Sequence, residues 1–278
     1  MLGASGRLGA MVCGFWPERG DLVCHSRRAL PGFVRFDPMS EPEALYNAAR
    51  GARALICLSG VTPIRAAQDG DLFSLNRDLA LAAVQAAARG GVGRVFLASS
   101  AAVYGNASGI CSEELSCTPV SDYGKAKLAM EQAARSAARD LDQPLTILRI
   151  GNVAGADAIL GNWHPEMQLD RFPDGRTPRR SYIGPESLAL LLHQLTHLAD
   201  APEILNISAP GCVEMGDLLD AAGLTWTPRP AGPGAIAEVR LSTARLEALT
   251  GVAAERGEAA GLVGEWRAFA ALEQGDPE

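Results

Sequence analysis

The sequence has few of the features that mark a membrane, secreted or metal-binding protein. No apolar run is long enough to cross a bilayer, and no secretory leader stands at the N-terminus. The six cysteines are scattered, and none belongs to a Cys-x-x-C pair. We therefore expect reduced thiols in a cytoplasmic protein without a bound metal.

Basic residues are also scarce relative to acidic ones. Lysine and arginine total 25 against 32 aspartates and glutamates, which gives a formal net charge of −7. Because binding to a phosphate backbone needs a basic surface, we expect no nucleic-acid partner. The 278 residues are 47% hydrophobic, which is enough to form the core of one large domain or two small ones.

Short apolar segments alternate with alanine-rich helical stretches over most of the chain. This alternation predicts an α/β fold, a Rossmann-type doubly wound parallel sheet with helices on both faces. The predicted strands are 21–25, 33–37, 54–58, 94–99, 145–150 and 204–208. The predicted helices are 41–49, 75–89, 121–140 and 185–198, together with a stretch that ends at residue 15.

The chain changes character after the strand at 145–150. Residues 151–180 are rich in glycine, proline, aspartate and arginine. We predict a dinucleotide-binding domain over 1–155 that is completed by 181–212. Residues 156–180 and 213–278 then form a small C-terminal substrate cap.

A glycine-rich turn opens the chain. Its first glycine permits a tight bend, the second lets the backbone approach phosphate, and the third permits close helix packing. The pyrophosphate of a dinucleotide would lie at the N-terminus of the following helix. The predicted contacts in this turn are Gly3, Ser5, Gly6, Arg7, Leu8 and Gly9.

The strand that should precede this turn is largely missing, because only Met1 and Leu2 come before it. In this fold that strand lies in the middle of the sheet, so its neighbours should lose backbone partners. Either the sequence starts inside a longer chain or the protein begins here with an impaired site. We expect the first, because the rest of the chain looks intact.

Three residues predict proton transfer: Ser100, Tyr123 and Lys127. Tyr123 and Lys127 are four residues apart on a predicted helix and so share a face. The lysine charge should lower the tyrosine pKa, which lets the phenol exchange a proton with an alcohol or carbonyl. Ser100 ends an apolar strand and could hold the same substrate oxygen. A solvated surface pair is the alternative.

Together these motifs resemble the extended short-chain dehydrogenase/reductase family, in its NAD-dependent epimerase/dehydratase branch, over residues 2–208. The resemblance implies that Tyr123 is the general acid/base and that Ser100 orients the substrate oxygen. Lys127 would depress the tyrosine pKa and hold the nicotinamide ribose. The motifs are Gly3-x-x-Gly6-x-x-Gly9, Ser99-Ser100-x-x-Val103-Tyr104-Gly105, Tyr123-x-x-x-Lys127 and Arg149-x-x-Asn152-Val153-x-Gly155.

The resemblance implies further contacts. The strand end at Leu58, Ser59 and Gly60 and the helical Asn76 would face the cofactor, with a helix N-cap as the alternative for Asn76. Asn152 would face the substrate. A homodimer through helices 75–89 and 121–140 is also implied.

Departures from the family pattern narrow the range of expected activities. Dehydratases of this branch carry Asp-Glu where Ala101 and Ala102 stand, which favours an epimerase or a reductase. The family's Arg-Asp-x-x-His-Val-x-Asp segment is degraded. Arg180 remains as a candidate for binding a substrate phosphate, with a solvated arginine in a basic cluster as the alternative. Trp163 could touch the substrate or simply pack within the cap.

The loop after the strand predicted at 21–25 favours NADP over NAD. An acidic residue there would bind the ribose hydroxyl of NAD, whereas an arginine suits the 2′-phosphate of NADP. This loop has Arg27 and Arg28 and no acid, so either could bind that phosphate, with a solvated basic loop as the alternative. Asp37 could receive the adenine amino group or stabilise a turn.

The sequence therefore predicts an NAD(P)-dependent oxidoreductase or epimerase. Its small polar substrate, possibly a sugar or nucleotide sugar, would react at a hydroxyl or keto group. A non-catalytic NADP-binding redox sensor and a truncated, cofactor-free product are the alternatives. His193 and His197 have metal spacing, but without an evident third ligand an ordinary amphipathic helix is favoured.

Overall fold

The computed structural model describes residues 1–63, 66, 73–251 and 257–275. The helices are α1 (Arg7–Gly14), α2 (Pro42–Ala49), α3 (Ser74–Gly90), α4 (Asp122–Asp140), α5 (Pro185–Thr196), α6 (Met215–Ala221), α7 (Ala244–Thr250) and α8 (Ala259–Gln274), with 3₁₀ turns at Arg19–Asp21 and Ala101–Tyr104. The strands are β1 (Cys24–Ser26), β2 (Phe33–Arg35), β3 (Ala54–Cys57), β4 (Arg94–Ser100), β5 (Ile110–Cys111), β6 (Leu145–Ile150), β7 (Asn152–Val153), β8 (Gln168–Arg171), β9 (Arg179–Arg180), β10 (Tyr182–Ile183), β11 (Ile204–Ile207), β12 (Val213–Glu214), β13 (Thr227–Pro230) and β14 (Glu238–Leu241).

The central sheet is parallel, with the order β11-β6-β4-β3. Its side chains alternate between the two faces, as the period of a strand requires. On β4, Val95 and Leu97 belong to the apolar cluster with α2, α3 and α4, whereas Phe96 and Ala98 belong to the cluster with α1, α5 and α8. Helices therefore cover both faces, and the predicted doubly wound α/β fold is confirmed.

Met1 and Leu2 occupy the position of the short first strand. The Leu2 amide donates to Ile56 O at 2.8 Å, and Leu2 O accepts from the Leu58 amide at 3.0 Å. On the other side, Met1 O accepts from the His25 amide at 3.0 Å. Two residues thus link β3 to β1, so the expected loss of backbone partners does not occur at these positions. The glycine turn consequently starts at the carboxyl edge of the sheet.

A third apolar cluster lies in the predicted cap. It includes Ile159, Leu169, Leu219 and Leu262, which come from both predicted cap segments. The division into a dinucleotide domain and a cap stays a prediction, and residues 252–256 and 276–278 of the second segment lie outside the described residues. Within the described ranges, no helix is long and apolar enough to cross a membrane.

Glu265 on α8 caps the N-terminus of α5. The Ser187 amide donates to Glu265 Oε2 at 2.8 Å, and the Ser187 hydroxyl donates to Oε1 at 2.5 Å. A Cβ atom at Gly184 would collide with the same carboxylate. Glu265 therefore lies at a helix N-terminus, where the backbone amides and the helix dipole favour negative charge.

Candidate active site

A cleft of about 710 Å³ lies beside the glycine turn, at the carboxyl ends of β1 and β3. This edge of a doubly wound sheet is where ligands bind in such folds. The predicted cofactor residues in its lining are Gly3, Ser5, Gly6, Arg27, Arg28, Asp37, Leu58, Ser59 and Gly60. The lining residues that sequence reasoning missed are His25, Ser26, Pro38, Met39, Val61, Leu75 and Leu79.

The turn is shaped by glycines, and any other residue at these positions would displace neighbouring backbone atoms. Gly3 has φ of +77°, and a Cβ there would lie 2.7 Å from the Ser59 amide nitrogen. A Cβ at Gly9 would lie 2.6 Å from the Ala4 Cα atom. Gly6 is the N-cap of α1, so free backbone amides follow it. This narrow cradle at a helix N-terminus fits the pyrophosphate of a dinucleotide.

Arg7 and Leu8 lie in the turn but not in the cleft lining. Arg7 Nη2 donates to Gly161 O at 2.6 Å, and Nη1 donates to Asn162 Oδ1 at 3.3 Å. Leu8 packs against the apolar cluster beneath α1. The side chains of these residues therefore hold the turn to the cap and to the core.

The end of the cleft beside β1 and β2 combines exposed cations with a half-buried carboxylate. Arg27 and Arg28 are both exposed. Asp37 Oδ1 accepts from the Met39 amide at 2.9 Å, which is the turn-stabilising arrangement that the sequence left open. His25 lies beside them, with its Nε2 hydrogen-bonded to Phe36 O at 2.8 Å. Burial lowers the His25 pKa, so this ring favours the neutral form.

Asn76 is buried on the first turn of α3 and clamps the chain next to Gly60. Its Oδ1 accepts from the Val61 amide at 3.1 Å, and its Nδ2 donates to Val61 O at 3.3 Å. A Cβ at Gly60 would lie 3.3 Å from Lys127 Nζ. Asn76 is not the helix N-cap, and it fixes the segment where the cleft meets Lys127.

The structure brings Ser100, Tyr123 and Lys127 together. Gly124 packs so closely that a Cβ there would lie 2.5 Å from Ala102 O, so α4 can approach the turn that follows Ser100. The Ser100 side chain hydrogen-bonds Tyr123. Lys127 Nζ lies 5.9 Å from the centre of the Tyr123 ring. A serine, a phenol and an ammonium group therefore share one corner beside the cleft.

The protonation of this trio differs from the expectation. Burial raises the Tyr123 pKa, although the hydrogen bond from Ser100 opposes the shift. The expected lowering by Lys127 is therefore wrong for this structure. Lys127 Nζ donates to Ala98 O at 2.9 Å, and burial lowers its own pKa to about 8. Desolvation acts on both groups and disfavours the charged form of each.

A buried ion pair supports the same helix. Arg149 Nη2 lies 2.8 Å from Glu131 Oε2, and the Ser99 hydroxyl donates to Glu131 Oε1 at 2.5 Å. Arg149 Nη1 also donates to the Tyr104 hydroxyl at 3.1 Å. Sequence reasoning included Arg149 but missed Glu131. The available signal was its position four residues after Lys127 on the same helix face.

Two of the predicted substrate residues have partners within the cap. The Trp163 indole donates to Thr225 O at 2.9 Å and packs against the cap cluster. Arg180 Nη2 donates to Ile236 O at 2.9 Å, and burial lowers the pKa of this guanidinium. Asn152, the third, lies half-buried on β7. Their contact with a substrate stays a prediction.

His193 lies on the amphipathic helix α5, and the exposed His197 is the C-cap of that helix. The His193 and His197 ring centroids are 4.5 Å apart, and His193 lies edge-on against Trp16. Among the described residues, no group of three or more histidine, cysteine, aspartate or glutamate side chains could hold a metal ion.

The geometry suits proton transfer to or from an oxygen. The Tyr123 hydroxyl carries an exchangeable proton, the Ser100 side chain hydrogen-bonds this hydroxyl, and Lys127 lies one helical turn away. The neighbouring cleft is large enough for a dinucleotide, whose nicotinamide would supply the hydride chemistry.

Known proteins share this sequence pattern and fold. The model of the NAD dependent epimerase/dehydratase family matches residues 1–172. UDP-glucose 4-epimerase from Azospirillum brasilense is 30% identical over 169 residues, which are 56% of this chain and 49% of that protein. The chain thus spans about half the length of that relative.

Solved structures resemble the whole chain. UDP-glucose-4-epimerase from Stenotrophomonas maltophila, with bound NAD and formylated UDP-arabinopyranose, has a TM-score of 0.78 at 21% identity, covering 99% of this chain and 98% of that one. dTDP-glucose 4,6-dehydratase from Streptomyces venezuelae, with NAD bound, has a TM-score of 0.74 at 20% identity, covering 99% and 97%. At these identities the likeness establishes the fold. The family match, which covers more than half of the sequence, establishes that the chain belongs to the NAD dependent epimerase/dehydratase family.

Proposed function

We propose that this protein is an epimerase or reductase that acts on a hydroxyl or keto group of a nucleotide sugar. The observation that carries the proposal is the meeting of Ser100, Tyr123 and Lys127 beside the dinucleotide-sized cleft. Ala101 and Ala102 follow the serine, where a dehydratase of this branch would carry an acid pair.

In the proposed mechanism, Tyr123 moves the proton and Ser100 holds the reacting oxygen. In the reducing direction the Tyr123 phenol donates its proton to the carbonyl oxygen, and in the oxidising direction the Tyr123 phenolate accepts the hydroxyl proton. A nicotinamide held beside the glycine turn would supply the hydride chemistry. Lys127, 5.9 Å from the ring centre, would offset part of the cost of burying the phenolate that remains after proton donation, although burial keeps the pKa of Tyr123 raised.

The glycine cradle and the cleft would hold the cofactor. Gly3 and Gly6 would approach the pyrophosphate, and Asp37 would lie near the adenine. We propose NADP as the preferred cofactor, because Arg27 and Arg28 are exposed at the cleft and available to a 2′-phosphate. Titration with NADPH and NADH tests this preference, and tighter binding of NADH would overturn it.

Relatives support a nucleotide sugar as substrate. The sequence relative is a UDP-glucose 4-epimerase, and the structural neighbours include enzymes with UDP sugars bound. UDP-glucose and UDP-glucuronic acid are therefore the first substrates to test. An epimerase would change the C4 configuration without net change in cofactor absorbance, whereas a reductase would consume NADPH with the corresponding keto sugar.

The central test is the Tyr123→Phe variant. We expect it to abolish turnover and retain NADPH binding, because the ring remains and only the transferable proton is lost. Tyr46→Phe serves as the control, since Tyr46 lies on α2, where its ring packs against Arg89. Near-normal turnover by the Tyr123→Phe variant would refute the mechanism. If the unmodified protein binds NADPH but turns over no keto or hydroxy sugar, a redox sensor would be favoured instead.

We also propose a homodimer through α3 and α4, as the family implies. These two long helices pack against each other on one face of the sheet. Light scattering of the purified protein tests this proposal, and a monomeric mass would overturn it.

A further inference from the structure

Asp157 is a half-buried residue whose carboxylate organises the loop after β7. Its Oδ1 accepts from the amides of Leu160 at 3.1 Å and Gly161 at 3.2 Å. Its Oδ2 accepts from the Tyr182 hydroxyl at 2.7 Å. Burial raises the Asp157 pKa, and these hydrogen bonds oppose that shift. The loop is thus closed around one side chain.

Tyr182 connects this carboxylate to Asn152. Tyr182 and Asn152 are paired in register across the parallel strands β10 and β7, so their side chains are neighbours on one face. The Tyr182 hydroxyl, 1% exposed as a residue, also hydrogen-bonds the Asn152 side chain. Because its single proton goes to Asp157, the hydroxyl can only accept from Asn152. The group that donates must be the Asn152 Nδ2 amide.

The other end of the same loop is held by the glycine turn. Arg7 donates to Gly161 O and to Asn162 Oδ1. A Cβ at Gly161 would lie 2.9 Å from the Arg7 guanidinium, so the approach is close. The loop that fixes Tyr182 is therefore anchored to the glycine turn, and Asn152 is oriented by a rigid chain of contacts.

We infer that Tyr182, held by Asp157, is a positioning residue that fixes the Asn152 amide with its oxygen turned away from Tyr182, as an acceptor for a substrate hydroxyl. The inference rests on the proposed function, since it requires a hydroxyl-bearing substrate such as a sugar. Asn152 is half-buried and follows β6 at the carboxyl edge of the sheet, where ligands of this fold bind. An amide fixed in one orientation discriminates a donor from an acceptor on the substrate.

The test combines the Tyr182→Phe variant with two measurements. The first is the side-chain amide signal of Asn152 in a ¹⁵N-labelled protein, assigned by its loss in Asn152→Asp. We expect Tyr182→Phe to shift this signal and to speed its hydrogen exchange. The second is steady-state turnover of UDP-glucose, where KM should rise by about 3- to 10-fold, the range that one hydrogen bond supplies, while kcat stays within about twofold.

Tyr46→Phe is the control, because it also removes a phenol hydroxyl but lies on α2, where its ring packs against Arg89. It should leave the Asn152 signal and the KM unchanged. An unshifted Asn152 signal in Tyr182→Phe would overturn the inference, as would a fall in kcat without a change in KM. If the unmodified protein does not turn over UDP-glucose, that substrate is wrong, and the amide signal still decides whether Tyr182 positions Asn152.

Discussion

Arg149 and Glu131 form a buried ion pair at 2.8 Å, with both side chains at most 5% exposed. The pair joins β6 to α4, the helix that carries Tyr123 and Lys127. Ser99 hydrogen-bonds Glu131, while Tyr104 and the Glu113 carbonyl accept from Arg149. Because the one charge compensates the other, removal of one partner leaves the second charge buried without its counter-ion.

We expect Glu131→Gln to destabilise the fold by about 3–5 kcal/mol, the usual cost of breaking one partner of a buried pair. Urea unfolding followed by circular dichroism measures this change. The control is Glu43→Gln, which removes one partner of an exposed pair with Arg89 and should leave the midpoint unchanged. Equal midpoints for the two variants would contradict the prediction.

Gly9→Ala should damage the cofactor cradle. A Cβ there would lie 2.6 Å from the Ala4 Cα atom, so the turn or α1 must move. We expect a stability loss of about 1–3 kcal/mol, as for overpacked cores, and weaker NADPH binding by isothermal titration.

Gly264→Ala is the matched control for the glycine variant. Gly264 lies within α8, and a Cβ there meets no heavy atom within 4 Å. Because alanine favours helix more than glycine, this variant should gain about 0.5–1 kcal/mol and keep its cofactor affinity. Equal effects of the two alanines on NADPH binding would remove the case for the cradle.

Lys127→Met should stabilise the fold at pH 7 while it abolishes turnover. Burial lowers the folded-state pKa of Lys127 to about 8 from its ordinary value of 10.5, so below pH 8 the folded protein carries a charge that burial disfavours. The unfolded chain binds more protons between these two values, so the stability of the unmodified protein rises with pH across that window. The stability difference between the variant and the unmodified protein should therefore be largest below pH 8 and shrink toward pH 10.5. A difference that is independent of pH, measured by urea unfolding from pH 7 to 10, would contradict this assignment.

The double variant Arg27→Ala/Arg28→Ala should lose affinity for NADPH and keep its affinity for NADH. Both side chains are exposed in the cleft lining after β1, where the proposed function puts the 2′-phosphate that NADH lacks. Parallel fluorescence titrations measure the ratio of the two affinities. Arg50→Ala, at an exposed position after α2, is the control. An equal loss for both cofactors would show that the arginines do not select NADP.

The sheet and the trio could be predicted because each strand, helix or motif is marked by a pattern within a short stretch of sequence. The strand at 94–99 and the helix at 121–140 were predicted to within one residue of β4 and α4 at each end. The strand predicted at 21–25 begins only at Cys24, because its pairing depends on Met1 and Phe33 rather than on its own composition.

Long-range contacts were beyond sequence reasoning. Glu265 caps α5 across 78 residues, and Arg7 reaches the loop at Gly161 across 154. Neither has a local pattern that reveals its partner. The pKa of Tyr123 was predicted in the wrong direction for the same reason, since burial is a property of the whole fold and here outweighs the hydrogen bond from Ser100.

The contacts of α8 also set an order of events during synthesis. Phe269 belongs to the apolar cluster around α1 and packs against Phe15, with 6.3 Å between ring centroids, while Glu265 of the same helix caps α5. A ribosome delivers the N-terminal part of a chain first. The end of α1 at Phe15 therefore stays uncovered until α8 emerges, whereas α5 can already pack against the rest of that helix.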